Sequence, residues 1–227
     1  MKKYLLSTLA DGICVVLLSV CPILCYASAF SVKLESSVLI MAAVLFSIVF
    51  SLLSAFVKNN LKYALCMTVI AFVAFLVFVF ANERIFAQAN YAINKLLELY
   101  SVYLSVYSNI KFASYIANDA TGFFVLLSLI LNGLFSFLIS RIKSIKIAGL
   151  LSIALLVPCF VLVNTLPDLV PLLIIFTVLF ALYFSSQTRQ LNYAHSGVIT
   201  AVCAVILAVL ITVLAVINPV ANYERPK

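Results

Sequence analysis

The chain has 227 residues, 66% of them hydrophobic and 9% charged, with a formal net charge of +7. A soluble domain is about half apolar and about a quarter charged, so a water-soluble globule is excluded and lipid is the expected solvent. In hydrocarbon every backbone group must pair internally, which leaves helices or closed barrels. The apolar runs are continuous and about 20 residues long, enough for a helix to cross a core of roughly 30 Å. Barrel strands would instead alternate apolar and polar over roughly 10 residues. The expected fold class is therefore all-α: a polytopic helical membrane protein with about seven transmembrane helices, plus one amphipathic interfacial helix on the outer side.

The first run covers about residues 5–30. Its basic start, Met1-Lys2-Lys3, and its Ala27-Ser28-Ala29 are parts of a signal peptide. Asp11 opposes that reading, because the apolar core of a signal peptide is uncharged. The run is expected to stay as the first span. Asp11 lies a third of the way in if the span runs from Leu5, or at the inner interface beside Lys2 and Lys3 if it starts at Gly12. The interface is the expectation here. A proton or cation role is the functional alternative, because an ionisable side chain in lipid is costly and marks a site by default.

The second run is 36–57 and the third 63–81, joined by Lys58-Asn59-Asn60-Leu61-Lys62. Residues 82–120 form the one sizeable outside segment. Within it Phe86, Ala89, Ile93, Leu97, Tyr100, Leu104 and Tyr107 recur at helical spacing, with Gln88, Asn94, Lys95, Glu98, Ser101 and Ser105 between them. The bland reading is a helix lying flat on the outer leaflet, with its tyrosines at the interface. The functional reading makes Phe86, Ile93, Leu97, Tyr100, Leu104 and Tyr107 a docking face for a partner or an extracellular domain.

The fourth run, 121–140, holds Asn132-Gly133 near its middle. An Asn there needs a hydrogen bond from another helix, and the Gly lets that helix come close. Packing is the expected role, with substrate contact as the alternative. Arg141-Ile142-Lys143-Ser144-Ile145-Lys146 leads to the fifth run, 147–164, and Thr165-Leu166-Pro167-Asp168 to the sixth, 169–185. A polar stretch containing His195 leads to the seventh, 197–217, and residues 218–227 form an outside tail. Pro22 and Pro158 interrupt the first and fifth runs.

Basic residues give the direction. With the N-terminus in the cytoplasm, the inside segments hold Lys2, Lys3, Lys58, Lys62, Arg141, Lys143, Lys146 and Arg189, while the short outside loops hold only Lys33. The acids Glu35, Glu83, Glu98, Asp119, Asp168 and Glu224 all fall outside. The expected location is a bacterial cell membrane, multi-pass, with the N-terminus cytoplasmic and the C-terminus outside.

A search for chemistry finds no site. Cys14, Cys21 and Cys25 share one helix face, but no His or carboxylate accompanies them at ligand spacing, so packing is expected rather than a metal. The single His has no triad partner in view. The few glycines form no phosphate loop. No basic stripe with interleaved aromatics lies outside the membrane, so nucleic acid is not an expected partner. No catalysis by this chain alone, and no cofactor, is expected.

Three stretches carry a resemblance. The tail runs from Asn218-Pro219 to Tyr223-Glu224-Arg225-Pro226. Thr165-Leu166-Pro167 precedes a span that closes with Ser185-Ser186-Gln187-Thr188-Arg189, and the outside helix carries Ile93-Asn94, Leu97, Tyr100 and Tyr103. In these features the chain resembles the N-terminal multi-span membrane region of transglutaminase-like membrane proteins of Gram-positive bacteria. The resemblance implies a membrane domain over residues 1–217 that anchors and presents an extracellular domain lying beyond Lys227. The Cys, His and Asp of that enzyme core have no counterpart among these residues. Two other readings stand beside it: a small transporter subunit lined by Asp11 and Asn132, and an accessory protein that docks a partner through the outside helix. In each, the lipid bilayer is a partner.

Overall fold

Six of the seven apolar runs form helices in the computed structural model, which describes residues 2–57, 59–80, 82–104, 117–161 and 167–190. The elements are α1 (Lys2–Ala29), α2 (Ser36–Phe56), α3 (Asn60–Phe80), α4 (Asn82–Leu104), α5 (Thr121–Ser136), α6 (Ile145–Val161) and α7 (Leu169–Gln190). A π-helical turn, Phe137–Ile142, continues α5. No strand occurs among the described residues. The seventh run, His195, the tail and Tyr107 lie outside them.

Three stretches are long and apolar enough to cross a membrane by length and composition: Asp11–Ala29, Ser36–Ser54 and Thr121–Ile142. Asn60–Ala74, Ile145–Phe160 and Leu169–Phe184 are shorter apolar stretches. This is an all-α protein with several candidate membrane spans.

The first helix is the hub. It packs against α2, α5, α6 and α7, and 56% of its apolar window is buried against 22% for that of α2. Its sequence explains this. Ser19, Cys21, Cys25, Ala27 and Ala29 are small, so neighbouring backbones can come close where lipid supplies no hydrophobic drive. Large side chains go outward instead on α2 and α3: Met41, Leu45, Leu61, Leu65 and Phe72 are all exposed. That is the expected distribution for helices whose outer face meets hydrocarbon.

The helices stop by backbone means. At the end of α1, Ser31 takes a left-handed φ of 52°. The Val32 N–H donates to the Ala27 carbonyl at 2.9 Å and the Ser31 N–H to the Ser28 carbonyl at 3.4 Å. These two bonds satisfy carbonyls that a helix end leaves open. The other left-handed residue is Lys143, at φ 54°. There the Lys143 and Ser144 N–H groups both turn to the Leu138 carbonyl, five and six residues back against three and five at Ser31 and Val32, because the preceding turn is π.

Several boundaries differ from expectation by a few residues. Arg141 and Ile142, expected in a loop, belong to the π turn, so only Lys143 and Ser144 link it to α6. The prolines do not break their helices: α1 continues through Pro22 and α6 through Pro158.

Candidate functional site

Three polar joints hold the helices together, one at each end of the bundle and one between. At the first end, α4 crosses the ends of three other helices. Gln88 meets the start of α5: its Oε1 accepts from the Phe123 N–H at 3.0 Å, and its Nε2 donates to Asp119 Oδ1 at 3.3 Å. One turn on, the α4 carbonyl of Ala92 accepts from the Tyr26 hydroxyl of α1 at 3.2 Å. Two turns further, the Tyr100 hydroxyl donates to the Pro158 carbonyl of α6 at 2.9 Å. Residues 88 to 100 span about 18 Å at 1.5 Å per residue, and that is about two interhelix spacings of 8–10 Å. The helix therefore lies across α5, α1 and α6 in that order.

Gln88 acts as a cap supplied from a distant helix. Phe123 is the third residue of α5, where an N-cap side chain normally accepts. The local N-cap, Ala120, has no side-chain acceptor, and Gln88 takes its place. Gly122 makes room: a Cβ there would sit 2.6 Å from Gln88 Oε1. Thr121 Oγ1 in turn accepts from the Glu35 N–H at 3.0 Å, and the Lys33 carbonyl accepts from the Ala120 N–H at 3.0 Å. Ser28 Oγ accepts from the Asp168 N–H at 2.9 Å. Rings fill the space beneath α4: Tyr26 lies 4.6 Å from Phe30 and 5.7 Å from Phe124, and Phe30 lies 5.8 Å from Tyr100. Burial raises the pKa of the Tyr100 hydroxyl, which keeps it a donor.

The proposed docking face of α4 divides. Phe86 and Ile93 are exposed, at 43% and 39%. Tyr100 is turned into the bundle, and Leu97 is half-buried. Ala87, Ala89 and Ala92 are buried instead, because small residues suit the close crossing. The side chain of Leu104 lies outside the described residues, as does Tyr107. On the outward side Lys95 Nζ meets Glu98 Oε2 at 2.9 Å, and that bond raises the lysine pKa.

The middle joint is Asn132, which is fully buried. Its Nδ2 donates to Ser19 Oγ of α1 at 2.9 Å and to the Ser128 carbonyl at 2.9 Å. Its Oδ1 has no hydrogen-bond partner. A Cβ on Gly133 would lie 2.5 Å from Met67 Cε and 3.3 Å from Phe50 Cζ, so this glycine lets α2 and α3 close on α5.

At the other end, the Arg141 guanidinium bonds the Ser54 carbonyl at 2.7 Å and also the Val57 carbonyl. Its Cζ lies 4.8 Å over the Tyr63 ring. Tyr63 is fully buried, shares a hydrogen bond with Ser136 Oγ at 3.1 Å, and stacks on Phe137 at 6.0 Å. Arginine suits this position: its several donors can serve two carbonyls at the end of α2, where the helix dipole is negative.

Asp11 precedes Gly12, which packs against α2. The Gly12 carbonyl accepts from Ser47 Oγ at 3.0 Å, and a Cβ on Gly12 would lie 3.5 Å from Ser51 Oγ. Those serines precede the end of α2 by about 8–14 Å along its axis.

Arg141, Tyr63, Gln88 and Thr121 are the residues that sequence reasoning passed over. The Arg had been read only as a topology charge and the Gln as part of a polar face. Gly122 beside Asp119 was the available signal for a foreign cap. Among the described residues no three His, Cys, Asp or Glu side chains gather to hold a metal. Comparison with known protein families, curated proteins and solved structures returns no match.

Proposed function

We propose that this chain is a non-catalytic membrane platform that anchors and presents an extracytoplasmic domain at a bacterial cell membrane, like the N-terminal region of the transglutaminase-like proteins it resembles. The observation that carries the reading is the bracing of the α4 end. Gln88, Tyr26 and Tyr100 tie one crossing helix to α5, α1 and α6. Such bracing suits a surface that must hold something in a fixed pose. The side-chain amide donor inside the bundle, Asn132 Nδ2, bonds α1 and its own helix, which fits a structural role better than a transport path.

In this reading seven spans cross the membrane and α4 lies on the outer side. The charge distribution supports that direction. Lys62, Arg141, Lys143 and Lys146 sit at the end opposite α4, while the short links at the α4 end carry only Lys33; Arg84 and Lys95 belong to the long α4 segment, which counts less in the positive-inside rule. Two measurements test the proposal. Alkaline phosphatase fused after Lys227 should be active, and activity only of a cytoplasmic reporter there would sink the topology. The gene read past codon 227 should encode, in frame, an outer domain with a Cys, a His and an Asp. A stop codon directly after Lys227 would overturn the transglutaminase-like reading.

A further inference from the structure

We infer that the rim formed by the α2–α3 and α5–α6 links binds the headgroup of an anionic phospholipid. Arg141 brings the two links together: it lies over Tyr63 and bonds the Ser54 and Val57 carbonyls. Lys62 adjoins Tyr63, and Lys143 and Lys146 follow Arg141 closely in the chain. All three lysines are exposed. The guanidinium is held by carbonyls and the ring, so the lysines are the groups that face outward. No acid occurs in 57–63 or 141–147. Asp11, the described acid on this half of the bundle, adjoins Gly12, whose partners Ser47 and Ser51 lie about 8–14 Å before the end of α2.

Charge alone would fit any phosphate. The apolar residues on the same links narrow the choice. Phe56 is 82% exposed and Leu61 74%, and Ile142 and Ile147 are exposed beside the lysines. A ligand that satisfies cations and large apolar side chains within one or two residues of each other carries a phosphate and acyl chains in one molecule. Basic clusters flanking membrane helices recognise anionic lipids in this way. The inference rests on the membrane character of the bundle and is independent of any domain it presents.

The test uses the purified full chain in phosphatidylcholine nanodiscs, titrated with short-chain phosphatidylglycerol. Saturable binding is expected, weakened about fivefold for each of Lys62→Gln, Lys143→Gln and Lys146→Gln. Lys33→Gln with Lys95→Gln, at the other end, should leave it unchanged. Equal binding of short-chain phosphatidylcholine would overturn the proposal by showing that charge is not read. Equal binding of inorganic phosphate would overturn it by showing that the acyl chains are not read. The melting temperature of each variant in phosphatidylcholine shows whether it folds. If it does not, the salt dependence of wild-type binding decides: steep weakening with NaCl supports the inference and none overturns it.

Discussion

The two ends of the bundle solve one problem with different chemistry. Wherever a helix stops, N–H or carbonyl groups are left open, and in a membrane they are costly. At the α4 end they meet neutral side chains: Gln88 on the Phe123 N–H, Thr121 on the Glu35 N–H, Ser28 on the Asp168 N–H. These bonds are many, and each is of ordinary strength. At the other end a single guanidinium serves two carbonyls of α2 and covers an aromatic ring. The first arrangement is redundant, so losing one member leaves the others. The second is concentrated in one residue, so the two ends should respond very differently to single substitutions.

Arg141→Ala gives the largest expected effect. It leaves the Ser54 and Val57 carbonyls without their charged donor and should cost about 3 kcal/mol, read by denaturation in mixed micelles. Arg141→Lys should recover only part of it, because one ammonium cannot reproduce the fork over Tyr63. A loss under about 1 kcal/mol would show that this end is as redundant as the other.

Gln88→Ala should cost about 1 kcal/mol, the usual value of an N-cap. The loss should appear as faster amide exchange at the start of α5. An effect as large as that of Arg141→Ala would break the contrast. Between the ends, Asn132→Ala should cost about 0.6–1.7 kcal/mol, the range of interhelical bonds in membranes. The low end is expected, since the variant also removes the unbonded Oδ1. Unfolding in micelles, with Ser19→Ala as the second arm of a double-mutant cycle, isolates the bond between them.

The smallest effect should be a gain. Ser31→Gly removes the cost of a left-handed non-glycine residue and should stabilise by no more than about 1 kcal/mol, read as a raised melting temperature. Destabilisation would mean that the Ser31 side chain makes contacts that matter more than its backbone strain.

Much of the helix layout was legible in the sequence. Run length and charge gaps placed α2 and α7 to start at the expected residues, Ser36 and Leu169. Asn132-Gly133 announced an interhelix contact, because a mid-run amide has few other uses. The joints at the ends were not legible. Which carbonyls Arg141 meets depends on how closely α2 approaches α5, and periodicity says nothing of that. Gln88 sits among polar positions of α4, yet its partner is 35 residues away. The apolar periodicity of α4 did not show which of its residues pack inward: Ala87, Ala89 and Ala92 are buried and Tyr100 reaches α6, while Phe86 and Ile93 are exposed.

The bonds of Ser19 and Ser28 also bear on how the chain is made. The first helix leaves the ribosome well before most of the partners that bury it. Asn132 follows Ser19 by 113 residues, and Asp168 follows Ser28 by 140. At about 5–20 residues per second, α1 waits roughly 6–23 s for Asn132. A hydroxyl stranded in oil for that long would invite wrong pairings. Neither serine is stranded: Ser19 Oγ donates to the Val16 carbonyl at 2.9 Å and Ser28 Oγ to the Cys25 carbonyl at 3.0 Å, both within α1 itself. Each hydroxyl proton is occupied from the moment the helix forms, while its lone pairs stay open. The hub can thus be inserted alone and early, already quiet toward lipid yet ready to accept from α5 and the start of α7 when they arrive.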